Sequence, residues 1–353
     1  MTDFIYEQQQ SKLIFGRSFT RALSDELPND TVLHAWVIAS RRFNSVVQAA
    51  DSLDNFFILE HFSRVLQYVP ADQVQKARHS VAKSGANIIM AIGGGSAIGL
   101  AKAVALKHPL PIWAVPTTYS GSEMTNIYGI SSAGIKEVGR DSNVVPEKVF
   151  YDPELSLTLP FDIAAKSALN ALSHLIEAVY SSDRNPFTFQ HSLEGIRILF
   201  SGLKRLSEEK SISAVINEKL LLGASFAGKS LSETEMALHH TCAHVLGGSF
   251  SLDHASVHTV ILPYVLKFQW SSLSDEIRIH FKRLFDSDTP ANVLFDLIKR
   301  LDQPTSLKDI GFRKRDIAKA AELISNQKFN NPATVTQDNI KRLLETAWGG
   351  KLS

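Results

Sequence analysis

The sequence lacks several features that would define its class. It has one cysteine, Cys242, among 353 residues, so no disulfide can form within the chain, and a lone thiol favours a reducing cytoplasm. Lysine and arginine number 37 against 36 aspartates and glutamates, so no charge excess indicates nucleic-acid or membrane-surface binding. No run approaches the roughly 18 apolar residues of a membrane span, and the segment MTDFIYEQQQ lacks the pattern of a secretory signal. We therefore expect a cytoplasmic protein that binds neither nucleic acid nor membrane.

Periodicity divides the chain into two parts. The length suffices for two domains, each with its own core. Short β-rich runs alternate with helical patterns up to about residue 155, which predicts a parallel sheet covered by helices on both faces. The predicted strands are 12–15, 33–40, 88–92, 112–115 and 148–151, the predicted helices are 74–83 and 97–106, and 129–138 is a predicted hairpin.

Helical periodicity dominates from residue 162 onward. The predicted helices are 162–180, 186–206, 212–228, 254–269, 275–285, 290–301, 314–325 and 337–348, with a cap for the last one between 334 and 338. We predict an α/β domain over residues 1–155 and an all-α domain over 156–353. Because ligands of parallel sheets bind beyond the carboxyl ends of the strands, we expect a cleft lined by the loops after Ile92 and Val115.

A glycine-rich turn joins a predicted strand to a predicted helix. Gly93, Gly94, Gly95 and Ser96 follow directly on Ile92. Without Cβ atoms the backbone can approach a ligand closely, and the free N–H groups of the following helix suit a pyrophosphate. The turn is not the GxGxxG pattern of ordinary Rossmann domains and follows a later strand, but its context favours phosphate binding over a simple tight turn.

A second polar segment, PTTYSGSE over residues 116–123, follows the predicted strand 112–115. Segments of this composition hydrogen-bond phosphate, ribose or carboxamide groups, although they also cap neighbouring elements. Because it follows a strand near the glycine turn, the ligand-binding interpretation is favoured. The candidate ligand-binding side chains are Thr117, Thr118, Tyr119 and Ser122.

Five of the twelve histidines fall between residues 239 and 258: His239, His240, His244, His254 and His258. Three pairs have the i, i+4 spacing that places side chains on one helix face, namely Asn170 with His174, His240 with His244, and His254 with His258. Gly247 and Gly248 predict a bend that folds the two histidine segments together. Two interpretations stay open: a metal site built from His174, His240 and His254, or a metal-free pocket for proton transfer. Cys242 points away from this face and is predicted to be a core residue.

Taken together, these segments resemble the iron-containing (group III) alcohol dehydrogenase superfamily. The resemblance rests on the GGGS turn, the PTT…GSE segment, the link DPEL at residues 152–155, the segment NALSH at residues 170–174, and the HxxxH(x9)H pattern that begins at His240. It covers nearly the whole chain. It implies a dinucleotide-binding α/β domain, an all-α catalytic domain in the architecture shared with dehydroquinate synthase, and NADH or NADPH as cofactor.

The departures from the superfamily pattern concern charge. By position, Asn170 replaces the carboxylate that joins His174, His240 and His254 as metal ligands in metal-dependent members, and a neutral amide is a weaker ligand. Gly99 stands at an acidic position of the glycine motif. Ser40 and Arg41, followed by Arg42, stand where NAD-selective members carry a ribose-binding acid, which should admit a 2′-phosphate.

These departures resemble one subfamily, the maleylacetate reductases, which reduce a conjugated carbon–carbon double bond with NAD(P)H to give 3-oxoadipate. The resemblance implies a small dicarboxylate keto-acid substrate, a dispensable metal and a homodimer; a metal-dependent alcohol or polyol dehydrogenase is the alternative. The implied catalytic residues are His240 and His244, with His174 and His254 completing the pocket. The implied substrate-binding residues are Asn170, Arg140, Lys229 and His258.

Overall fold

The computed structural model describes residues 4, 6, 10–132 and 135–352. The chain forms two compact units, Met1–Leu159 and Pro160–Ser353, and the predicted domain boundary at 155/156 lies close to that division. Among the described residues, no helix has the length and apolar character needed to cross a bilayer.

A six-stranded parallel sheet forms the centre of the first unit, as predicted. Its interior strands are buried on both faces, which is why they appear in the sequence as continuous apolar runs. An antiparallel hairpin lies outside it, where a hairpin was predicted. The sheet order is β1-β8-β5-β4-β2-β3, where the strands are β1 (Lys12–Phe15), β2 (Leu33–Ala39), β3 (Phe56–Phe62), β4 (Ile88–Gly93), β5 (Ile112–Pro116) and β8 (Lys148–Tyr151), and the hairpin is β6 (Ile127–Ser132) with β7 (Ile135–Arg140).

Helices cover both faces of this sheet through two separate apolar cores. The predicted helices 74–83 and 97–106 are confirmed with shifted bounds, whereas β3 and two short helices were not predicted. In the described part of this unit the helices are α1 (Phe19–Glu26), α2 (Asn44–Asp51), α3 (Ala71–Ser84) and α4 (Gly95–Ala105).

The described part of the second unit is built from helices, which confirms the predicted all-α class. They are α5 (Phe161–Tyr180), α6 (Pro186–Glu209), α7 (Ala214–Glu233), α8 (Leu238–Phe250), α9 (His254–Gln269), α10 (Asp275–Phe285), α11 (Pro290–Arg300), α12 (Ile317–Ser325) and α13 (Gln337–Gly349). Helix α13 begins at a capping box formed by Thr336 and Asn339, within the segment predicted to cap it.

The predicted bend at Gly247 and Gly248 is wrong. Helix α8 continues through both glycines and ends at Phe250, where Ser251 adopts a left-handed conformation with φ of 55°. The reversal falls between 251 and 253, and the Asp253 side chain caps α9 by accepting from Ser256 N. Buried neighbours in α8 hold the helix despite the cost of about 1 kcal/mol for an interior glycine.

Candidate active site

Three loops of the first unit lie side by side at one edge of the sheet. Strands β5, β4 and β2 are neighbours and parallel, so the loops that follow Pro116, Gly93 and Ala39 emerge together. The chain passes from β2 out to β3 and returns to β4 on the other side of β2, which is a topological switch point. Ligands of open parallel sheets bind at such points.

The glycine loop, Gly93–Ser96, runs directly into helix α4. Gly93 ends β4, Gly94 is the N-cap, and α4 begins at Gly95. No side chain caps this helix. The amino end of α4 therefore presents the arrangement of N–H groups that binds phosphate.

The polar loop, Thr117–Glu123, packs on the glycine loop. Thr117 N donates to Gly93 O at 3.0 Å. A Cβ added at Gly94 would lie 2.7 Å from Cγ2 of Thr118, and one added at Gly95 would lie 3.2 Å from Cβ of Ser120. These glycines are thus required by the neighbouring loop. Thr118, Ser120 and Ser122 are partly exposed, whereas Thr117 and Tyr119 are fully buried.

Two arginines, Arg41 and Arg42, follow β2 at the same edge of the sheet. A short 3₁₀ helix, Arg41–Phe43, follows the partly exposed Ser40 at the end of β2. Arg42 Nη2 donates to Oγ1 of Thr117 at 3.4 Å, and its guanidinium lies 4.6 Å from the Phe43 ring centroid. Positive charge is therefore available beside the polar loop. Arg140 ends β7, is exposed, and donates to Asn126 Oδ1 at 3.2 Å.

The second unit brings six histidines together, and we call them the histidine cluster. Helix α5 supplies His174, α8 supplies His239, His240 and His244, and α9 supplies His254 and His258. The rings of His174 and His240 stack at 4.6 Å between centroids, and His240 lies 4.8 Å from His258. His244 is exposed, and its ring centroid is 5.6 Å from that of the half-buried His254. A Cβ added at Gly247 would lie 3.4 Å from His254 Nδ1, so this glycine leaves room for the ring.

Glu177 on α5 orients the cluster, and the sequence reasoning missed it. Its side chain is buried, and its Oε1 accepts from His239 N at 2.6 Å. Its Oε2 accepts from His240 N at 3.4 Å and is hydrogen-bonded to Nδ1 of the His240 ring. Burial raises the pKa of Glu177, and His239 together with these donors opposes the rise. The i, i+4, i+7 spacing of Asn170, His174 and Glu177 was the signal that could have identified it.

A chain of hydrogen bonds links three of the imidazoles. His239 Nε2 lies 2.9 Å from His258 Nδ1, and His258 Nε2 lies 3.0 Å from His254 Nε2. Burial lowers the pKa of His239 to about 3 and the pKa values of His174, His240 and His258 well below the ordinary range, with neighbouring histidines adding to each shift. These buried rings are therefore neutral at pH 7.

Several polar atoms of this region are buried without a hydrogen-bond partner among the described residues. They are Asn170 Oδ1, His174 Nδ1, His239 Nδ1 and His240 Nε2. Native proteins pair most buried polar atoms, so a group of unpaired ones indicates a place where a ligand or water binds.

Among the described residues, no group of three donor side chains is arranged to hold a metal ion. The carboxylate on Nδ1 of His240 leaves Nε2 free to coordinate, as in many metal sites. However, among the described residues no three histidine, cysteine, aspartate or glutamate side chains converge on one point, and His254 Nε2 is engaged by His258. Asn170 supplies a neutral amide where a carboxylate would compensate the charge.

Two other residues singled out in the sequence lie in different surroundings. Lys229 on α7 forms an ion pair with Glu233 Oε1 at 2.8 Å, and Glu233 also faces His191 Nε2 at 3.4 Å. The role of Lys229 in substrate binding stays a prediction. Cys242 is fully buried in the apolar core, which confirms its structural assignment.

Comparison with known proteins covers both units. Residues 10–153 match the family model for iron-containing alcohol dehydrogenase, and residues 164–348 match the model for the C-terminal part of the Fe-containing alcohol dehydrogenase family.

Full-length relatives are also found. The chain is 36% identical over 350 residues to maleylacetate reductase of Burkholderia cepacia, covering 99% of each chain. The crystal structure of maleylacetate reductase from Agrobacterium tumefaciens matches with a TM-score of 0.93 and 31% identity over 99% of each chain. An iron-containing alcohol dehydrogenase structure from Corynebacterium glutamicum matches with a TM-score of 0.92 and 34% identity over 99% of this chain and 98% of the other.

Proposed function

Because the chain belongs to the iron-containing alcohol dehydrogenase family, we propose that it reduces the conjugated carbon–carbon double bond of maleylacetate to 3-oxoadipate with NADH or NADPH. The observation that carries this proposal is the neutral Asn170 beside the histidine cluster, in a chain at least 34% identical over 98–99% of its length to several proteins named maleylacetate reductase. A dicarboxylate keto-acid suits a pocket with unpaired buried polar atoms and imidazoles.

We assign cofactor binding to the loops at the sheet edge. The amino end of α4 would hold the pyrophosphate, and the partly exposed hydroxyls of the polar loop would hydrogen-bond other parts of the cofactor. Arg41 and Arg42 lie after β2, where a carboxylate would exclude a 2′-phosphate, so we propose that NADPH is accepted as well as NADH. The assigned cofactor residues are Gly93, Gly94, Gly95, Ser96, Thr118, Ser122, Ser40 and Arg41. Thr117 and Tyr119, which were also predicted to bind the cofactor, are fully buried, and we assign them to the support of the polar loop.

His240 and Glu177 supply the charge stabilisation that this reaction requires. When bound, the reduced nicotinamide supplies the hydride that the alkene carbon accepts. Negative charge then develops on the substrate's ketone oxygen as an enolate. His240 Nε2 is a buried unpaired nitrogen, and in the neutral ring, whose proton lies on Nδ1 facing Glu177, it donates only after it takes up a second proton. The Glu177 carboxylate then compensates the positive charge of the ring, and the Nε2 proton stabilises the enolate and completes the reduction when it is transferred to the substrate. A preorganised donor of this kind is worth roughly 3–4 kcal/mol in the transition state.

The remaining pocket residues bind and orient the substrate. The Asn170 amide is a neutral partner for a carboxylate or the ketone, and His174 stacks on His240 to hold the ring in place. His254 and the exposed His244 lie at the accessible end of the cluster, where protonated imidazoles would attract a carboxylate. The hydrogen-bonded chain from His254 through His258 reaches His239, whose ring centroid lies 5.3 Å from that of His240, and we propose that it brings a proton to this part of the pocket. Arg140 and Lys229 stay candidates for binding the second carboxylate.

We propose that turnover needs no metal, since three ligands do not converge among the described residues. Dialysis against a strong chelator is expected to leave activity intact. Loss of activity on chelation, restored by Zn²⁺ or Fe²⁺, would instead support a metal-dependent enzyme.

The function is tested by following absorbance at 340 nm with NADH or NADPH. Rapid loss with maleylacetate and not with small aldehydes is the expected result. Rapid loss with aldehydes alone would favour a metal-dependent alcohol dehydrogenase. A homodimeric state stays a prediction from the family, and a cytoplasmic location stays a prediction from the single cysteine.

A further inference from the structure

We infer that Lys102, which no comparison assigns, is a positioning residue that sets the polar loop in its cofactor-binding geometry. The inference rests on the proposed use of NAD(P)H. Lys102 lies on α4, the helix that begins in the glycine loop, and its side chain is fully buried. Among the described residues, Lys102 is the one lysine or arginine that is buried.

The Lys102 ammonium binds the end of the polar loop. Its Nζ donates to Ser122 O at 2.5 Å, to Thr125 O at 2.6 Å, to Thr125 Oγ1 at 2.8 Å and to Ile127 O at 3.1 Å. These acceptors follow Gly121, whose φ of 69° reverses the chain direction. The chain there forms a single 3₁₀ turn, Ser122–Met124, and the ammonium adds a donor to the carbonyl groups in and after this turn.

The polar loop is consequently fixed at its start to Gly93 of β4 and at its far end to α4, the helix that follows β4. At its start, Thr117 N donates to Gly93 O, and in its middle Thr118 and Ser120 pack on Gly94 and Gly95. Lys102 holds its far end to α4. The hydroxyls of the polar loop and the N–H groups of the glycine loop therefore keep a constant relative position, which a pyrophosphate contacted by both would require.

Glu123 provides the compensating charge without pairing directly. It is fully buried, its Oε1 accepts from the Tyr151 hydroxyl at 3.0 Å, and no ion pair within 4 Å joins it to Lys102 among the described contacts. Burial lowers the pKa of Lys102 to about 7 and raises the pKa of Glu123 to about 7, and the charge of each residue opposes the shift of the other. An apolar side chain at residue 102 would avoid this desolvation, so a buried cation here indicates a requirement beyond packing.

The test replaces Lys102 with methionine, which keeps the length of the side chain and removes the ammonium. The dissociation constants of NADH and NADPH are measured by nicotinamide fluorescence, alongside kcat and KM with maleylacetate. We expect Kd and the cofactor KM to rise about tenfold or more, with kcat at saturating cofactor within about threefold of the wild type.

Arg78→Met is the matched control. Arg78, on α3, donates from Nε and Nη2 to Ala103 O at 3.1 and 2.7 Å. Ala103 follows Lys102 on α4, but this contact does not involve the polar loop. The Arg78→Met variant should lose thermal stability, whereas its cofactor Kd should stay unchanged. Equal weakening of cofactor binding in both variants, or wild-type Kd in Lys102→Met, would overturn the inference while leaving the proposed function standing. Wild-type protein that binds neither cofactor would overturn both.

If Lys102→Met does not fold, Thr125→Val decides the question. This change removes one of the four acceptors and keeps the ammonium and the backbone acceptors. A cofactor Kd raised by a few-fold supports the inference, and an unchanged Kd contradicts it.

Discussion

Two buried groups, Lys102 in the first unit and the histidine cluster in the second, differ in how their polar atoms are paired. In the first unit, Lys102 has four oxygen acceptors around one nitrogen. In the second unit, His174, His239, His240 and Asn170 each keep a buried atom without a partner among the described residues. A satisfied network fixes a geometry, whereas unsatisfied atoms leave places for a ligand. Damage to the first unit should therefore weaken cofactor binding, and damage to the second should slow turnover.

The largest expected effect comes from Glu177→Gln. The amide would place an N–H against one of the groups that now donate to the carboxylate, and the negative charge that compensates a protonated His240 would be lost. We expect kcat to fall about 10²- to 10⁴-fold, with cofactor Kd unchanged. Steady-state kinetics and fluorescence titration measure the two quantities.

Glu233→Gln is the matched control for that change. Glu233 is also a largely buried carboxylate beside a histidine in the second unit, but it pairs with His191 and Lys229. The kcat of Glu233→Gln should stay within about twofold of the wild type at saturating maleylacetate, because a change at Lys229 would act on substrate binding and therefore on KM. A Glu177→Gln enzyme as active as Glu233→Gln would remove the carboxylate from the proposed mechanism.

A smaller effect is expected from Gly94→Ala in the first unit. The added Cβ would lie 2.7 Å from Cγ2 and 2.8 Å from Oγ1 of Thr118, so the polar loop must move away from the glycine loop. Overpacking of this kind costs about 1–3 kcal/mol, which corresponds to roughly 5- to 150-fold in cofactor Kd. Isothermal titration calorimetry with NADPH measures the loss. Normal Kd with reduced kcat would contradict the division of roles between the two units.

Some elements could be predicted because their signals are local. Strands β4 and β5 are buried on both faces and appear as unbroken apolar runs. Helix α10 has its predicted bounds because Ser274 caps its start and Asp286 ends it in a left-handed conformation. Edge strand β3 was missed because its outward side chains Phe57 and Leu59 are apolar, so no polar alternation indicates a strand. Its pairing with β2 holds it in the sheet.

The candidate site shows the same limit. Spacing identified the histidine pairs, since i, i+4 neighbours share a helix face whatever the tertiary structure. The burial of Lys102 depends on carbonyl groups about 20 residues along the chain, and the Glu177–His240 contact joins residues 63 apart in sequence. No local pattern encodes those contacts. The metal-free pocket stays a prediction, because it depends on which atoms converge on the bound substrate.

The smallest effect should come from alanine at the two glycines of α8. Comparing the two variants separates the stability of the helix from the packing around His254. At Gly248 an added Cβ meets nothing within 4 Å, so Gly248→Ala should raise the free energy of unfolding by about 0.5–1 kcal/mol and leave kcat unchanged. At Gly247 the Cβ would lie 3.4 Å from His254 Nδ1, so the same gain is partly offset and the ring is restrained. The two variants should therefore differ in both measurements. Urea unfolding should show a smaller gain in stability for Gly247→Ala, and steady-state kinetics should show a few-fold lower kcat for Gly247→Ala alone. Equal stability and full activity in both variants would mean that the position of His254 does not depend on the space left by Gly247. The accessible end of the histidine cluster would then tolerate displacement, unlike the hydrogen-bonded network around Lys102.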